Sequence, residues 1–139
     1  MRLRRIHIFS LLAFAGALPA HAFADTDLFC SGLATTYSAN VNLSSVSEVG
    51  NAELRIHLSD KAATLTLPPI MSATPALEID EVAYTDTAIT AQGPTVILGY
   101  RVTLNIDRNT GYVRLITHYG NEFTGTCRKY DPTVNTKLF

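Results

Sequence analysis

The chain has 139 residues, 47% of them hydrophobic and 17% charged, with a formal net charge of −1. That length suits one domain of ordinary size. Past the first two dozen residues no Lys/Arg cluster supplies the concentrated positive charge that phosphate binding needs, so nucleic acid is excluded as an expected partner.

The first element is a targeting segment. Arg2, Arg4 and Arg5 form a positive head, and Ile8 to Leu18 is an uncharged apolar run, too short to anchor in a bilayer. Pro19 breaks that run, and the small residues of "AHA" (20–22) or "AFA" (22–24) suit signal-peptidase cleavage. Residues 1–24 therefore read as a secretory signal peptide cut after Ala22 or Ala24, and 25–139 as a single β domain. Losing three arginines leaves 8 of the 11 basic residues against 12 acidic ones, a net charge of −4 with histidines neutral. No later stretch is apolar enough over a sufficient length to cross a membrane. The expected product is soluble, periplasmic or secreted, and has no membrane anchor. Lipid attachment at Cys30 is not expected, because Asp25, Asp27 and bulky Phe29 stand in its approach.

Period-two alternation dominates the remainder of the chain. A first strand is expected over "DLFCSGLATTY" (27–37), with a long polar connection, "SANVNLSSVSEVGN" (38–51), after it. In "AELRIHLSD" (52–60) Leu54, Ile56 and Leu58 alternate with polar neighbours, and "SDK" turns the chain into "AATLTL" (62–67). Pro68 and Pro69 must end that strand, since neither donates a backbone hydrogen bond. "IMSATP" reads as a connection, "ALEIDEV" (76–82) as one amphipathic strand and "TAITAQG" (87–93) as the next. "TVILGYRVTLNID" (95–107) is expected to be the longest strand, with Tyr100, Val102, Leu104 and Ile106 inward. "RNTG" turns, "YVRLITHYG" returns, and "NEFTGTCRKY" (121–130) closes the chain.

Seven or eight strands with frequent turn signals and no convincing helical period imply an all-β, antiparallel small barrel or two-sheet sandwich. Cys30 and Cys127 are the two cysteines, and in an exported chain the default is a disulfide. Closing a loop of 97 residues is worth about 4–5 kcal/mol in the chain-entropy model. A metal or redox pair would want a C-x-x-C spacing or further ligands nearby, and has neither. The bridge would join the first strand to the last, which favours a sheet closing on itself.

The sequence argues against several chemistries. "DRNTG" (107–111) has the Asp-x-Asn spacing of a calcium loop, but Tyr112 and His118 occupy the positions where glycine and a bidentate glutamate belong. A hairpin tip accounts for each of its residues instead. No G-x-S-x-G elbow is present, and Glu78, Asp80 and Glu81 read as a wet strand face rather than an acid–base pair. His57 and His118 would make a zinc or acid–base site only if they met beside Asp107 or Glu53. No catalytic, cofactor-binding or metal residue is assigned, and no enzyme is expected.

"FCSG" (29–32), "IDRNTG" (106–111) and "GTC" (125–127) resemble the frame of small exported β-rich proteins of Gram-negative bacteria. Those proteins share an early C-x-G, an I-x-R-x-T-G hairpin and a closing G-x-C. The resemblance implies export and the disulfide, and carries no activity. The expected function is therefore a non-catalytic binding module for a small apolar ligand or an envelope protein. Tyr100, Val102, Leu104, His57 and His118 are the candidate contact residues. The alternatives are an inhibitor or structural module acting through a projecting loop at 67–75, and a histidine-dependent hydrolase or metal enzyme.

Overall fold

The computed structural model describes residues 25–38, 45–72, 75–95, 101–117 and 120–130. Residues 1–24, read above as a signal segment, and Tyr100 and His118 lie outside the described residues. Among the described residues nine strands form: β1 Thr26–Ser38, β2 Ser45–Leu58, β3 Ala63–Thr66, β4 Ala76–Ile79, β5 Glu81–Tyr84, β6 Ala88–Thr95, β7 Arg101–Asp107, β8 Tyr112–Ile116 and β9 Glu122–Lys129. They make one antiparallel sheet in the order β4-β3-β2-β1-β9-β8-β7-β6-β5.

The two outer strands of that sheet are consecutive in sequence, with only Asp80 between them. The run read as one strand, 76–82, is indeed a single pass of chain. Its first half pairs with β3 and its second half with β6. β4 also touches β6, and Ile79 of β4 lies beside Gly93 of β6. The sheet thus curls into a nearly closed, up-and-down barrel, with the seam bridged by the chain itself.

Two expectations are corrected. Residues 45–51 read as part of a connection in the sequence, yet β2 begins at Ser45, because the far half of β1 offers those residues a pairing edge. Among the described residues β1 and β2 are the longest strands, and the run from Thr95 is divided, with Thr95 in β6 and Arg101–Asp107 in β7. Thr95 belongs instead to β6, which carries on past Pro94 through a register shift between Gln92 and Thr95. An irregularity of that kind accommodates a residue that cannot donate to the ladder.

Alternation fills the interior. Leu54, Ile56 and Leu58 of β2, Val102, Leu104 and Ile106 of β7, Val113 and Leu115 of β8, and Phe123 of β9 all point inward and are buried. A barrel with eight passes has an interior about wide enough for its own side chains. Burying each Leu, Ile, Val or Phe contributes about 1.5–3 kcal/mol.

β1 and β9 meet at the centre of the sheet in register Cys30↔Cys127 and Gly32↔Gly125. The cysteines are bonded, with their α-carbons 3.9 Å apart, closer than the usual disulfide range of about 4.4–6.8 Å. The paired glycines make that approach feasible. A β-carbon on Gly32 would stand 2.0 Å from the Thr124 carbonyl oxygen, and one on Gly125 would stand 2.3 Å from that of Ser31. The early C-x-G and the closing G-x-C are therefore one structural device: a bridge, and beside it the space that lets two strands come together.

Gly125→Ala should cost at least about 2 kcal/mol in urea unfolding of the oxidised protein, because backbone has to move. Gly50→Ala, whose β-carbon would meet only the flexible end of Ile70 at 3.2 Å, should cost under about 1 kcal/mol. Equal costs would contradict a pinch at Gly125.

Candidate functional site

The tip of the β7–β8 hairpin is tied by its own hydrogen bonds. Asp107 turns its carboxylate back on the chain, where Oδ1 accepts hydrogen bonds from the amides of Asn109 at 2.8 Å and Thr110 at 3.0 Å. Gly111 takes φ of 75° and donates its amide to the Asp107 carbonyl at 2.8 Å. The Thr110 and Asn109 amide bonds hold the Asp107 carboxyl below the usual aspartate range. The Gly111 carbonyl in turn accepts the Cys127 amide at 2.8 Å, tying the tip to β9 beside the disulfide.

His57 is half exposed and pairs with Asp27 at 2.7 Å on the neighbouring strand. No group of three His, Cys, Asp or Glu side chains suited to a metal occurs among the described residues. Val102 and Leu104, candidate contact residues, are fully packed in the core. The loop at 67–75 does not project at its described residues near β3. Leu67, Pro68 and Met71 are buried, Leu67 donates its amide to the Pro75 carbonyl, and Met71 donates to that of Pro68. A buried polar residue that alternation gives no reason to single out, Asn121, fastens this loop. Its Nδ2 donates to the Met71 carbonyl at 3.1 Å, and its Oδ1 accepts the Tyr37 amide at 3.1 Å.

Alternation alone does not isolate a difference between the two outer faces of the barrel. The cross-strand register of β2, β1, β9 and β8 sets outward residues in rows: Asn51, Leu33, Thr124 and Arg114; then Glu53, Ser31, Thr126 and Tyr112; then Arg55, Phe29 and Arg128. Among the described residues, the large hydrophobics that stand most exposed, Leu33, Val49, Tyr112 and Tyr130, all belong to this side. The outward positions of β7 instead carry Arg101, Thr103, Asn105 and Asp107. Apolar and aromatic groups mixed with arginine are the composition that binding surfaces favour.

Two depressions open on the richer face. The larger, of about 910 Å³, runs between Ser31, Leu33, Asn51, Glu53 and Arg55 on one side and Thr66 to Ile70 on the other. The smaller, of about 300 Å³, is lined by Asp27, Phe29, Arg55, His57, Thr64 and Tyr130. β3 pairs with β2 only over Arg55–Leu58. Along Ser45–Leu54, β2 has β1 on one side and no paired strand on the other among the described residues. The proline loop stands beside this edge, and no backbone hydrogen bond joins the two among the described residues. A third recess, of about 290 Å³, sits at the barrel end between Leu28, Leu58, Ile89, Ile106 and Lys129.

No protein-family profile, curated protein or solved structure matches the chain.

The Asp107 contacts set a pH dependence. A carboxyl whose folded pKa is lowered adds stability above the ordinary aspartate value of about 3.9, and that contribution is lost as pH falls through the folded value. The amide resonances of Asn109 and Thr110 should titrate together with a midpoint below about 3.9, and Asp107→Ala should abolish the titration. A midpoint at or above the ordinary value would contradict the geometry.

Proposed function

We propose that the protein is an exported, non-catalytic binding module that holds an extended segment of another envelope polypeptide along the unpaired edge of β2. The observation that carries this reading is the edge at Ser45–Leu54, opening at Asn51–Glu53 onto the 910 Å³ groove walled by the proline loop. An added strand would pair with the edge's amide and carbonyl groups that have no partner strand among the described residues, and the flanking pockets would select alternate side chains. The filled interior at Val102 and Leu104 argues against a ligand held deep in the barrel. Export is supported by the disulfide, which oxidising compartments sustain.

A second reading, a small apolar ligand at the barrel end, is favoured by the recess between Leu28, Leu58, Ile89 and Ile106. Its 290 Å³ lies at about the lower limit for ligand pockets.

The test is amide hydrogen exchange and chemical-shift mapping of oxidised residues 25–139. The probe is a blocked eight-residue peptide of alternating glutamine and valine, added at millimolar concentration. Protection and shifts concentrated in Asn51–Leu54 and Leu67–Ile70 are expected, with a Kd of about 1 mM or tighter. Absence of both at this edge overturns the reading. Selective shifts at Leu28, Ile89 and Ile106 with an alkyl-chain probe would favour the second.

A further inference from the structure

Phe29 is centred in its row with Arg55 on the strand to one side and Arg128 on the strand to the other. Each guanidinium carbon stands near the ring, at 5.8 Å for Arg55 and 5.6 Å for Arg128, from the ring centroid. That distance is within reach of a cation–π attraction. Contact with the ring restrains two long side chains that would otherwise sweep through solvent. Less freedom is then left to lose when a planar guanidinium takes a carboxylate in two parallel hydrogen bonds.

Neither arginine has an ionic partner among the described residues, where the ion pairs are His57 with Asp27 and Arg114 with Glu122. Asp27, the acid one row from Phe29, is thus committed to His57, and Glu53, two residues from Arg55 on the same strand, makes no ion pair with it. Two guanidiniums without counter-charges among the described residues, in a chain whose acidic residues outnumber the basic, mark a place where negative charge is to come from outside. Arg55 lines both depressions, so it stands where the groove along the β2 edge meets the cavity beside Tyr130.

Resting on the reading of the β2 edge as a polypeptide site, we infer that Arg55 and Arg128, held on Phe29, form a carboxylate-recognising row. The segment bound at the edge is accordingly acidic. One of its carboxylates meets Arg55 as the segment leaves the groove, and a later one meets Arg128 as it crosses Phe29.

Three blocked eight-residue peptides test this: alternating valine with glutamate, with glutamine or with lysine. They are titrated against the oxidised 25–139 protein while the Asn51–Leu54 amides are followed. The glutamate peptide should bind about fivefold or more tighter than the glutamine peptide near 0.05 M salt, with the advantage fading near 0.5 M. The lysine peptide should bind most weakly. The double variant Arg55→Gln, Arg128→Gln should remove the glutamate advantage, so that the glutamate and glutamine peptides bind it equally. Phe29→Leu should reduce that advantage, and Arg108→Gln, at the far hairpin, should leave it intact. Equal binding of the glutamate and glutamine peptides overturns the carboxylate row while the edge reading stands. If inorganic phosphate shifts Arg55 and Arg128 while the peptides show no preference, the ligand is a small anion and the inference also falls. Failure of all three peptides to bind removes the edge reading, and this inference with it.

Discussion

The structure depends on the junction of β1 and β9. These strands come from opposite ends of the domain, and their pairing unites two halves of the sheet, β1 to β4 and β5 to β9, that are otherwise built from successive neighbours in sequence. Ordering such a contact costs the closure entropy of a long loop. A bridge with a sequence separation of 97 removes much of that cost from the unfolded side. Gly32 and Gly125 give the backbones room to meet at the same place, so covalent bond and steric allowance serve one end.

Closure at this junction also determines the candidate site. β1 and β2 run on together well past the point where β3 ends, which leaves the far edge of β2 without a paired strand among the described residues. The same β1–β9 ladder places Arg55, Phe29 and Arg128 side by side, although they are far apart in sequence. Asn121 acts at a distance from that row, holding the proline loop and the end of β1 through two side-chain hydrogen bonds. Groove, aromatic–arginine row and loop wall are thus all consequences of how one sheet is closed.

Much of the fold was legible because period two is a strong signal. Leu54, Ile56 and Leu58, or Val102, Leu104 and Ile106, admit hardly any arrangement but a strand with one buried face. Asp107, Asn109 and Gly111 likewise announce a hairpin tip by their local hydrogen-bonding chemistry. Residues 45–51 could not be read in this way, since their strand conformation comes from the edge that β1 presents rather than from their own pattern. The division of 76–82 between two pairing partners is invisible for the same reason: alternation says which way side chains point, not which strand lies alongside. The candidate site was the least legible part, because Phe29 and its two arginines become neighbours only through register. His57 illustrates the limit well, as its partner is Asp27, a residue that spacing gives no reason to select.

Thermal unfolding of residues 25–139 with the sulfur bridge intact and after full reduction measures the closing junction most directly. If that junction governs the barrel, reduction lowers the Tm by more than about 10 °C. A reduced protein that melts within a degree or two of the oxidised one would contradict that dependence.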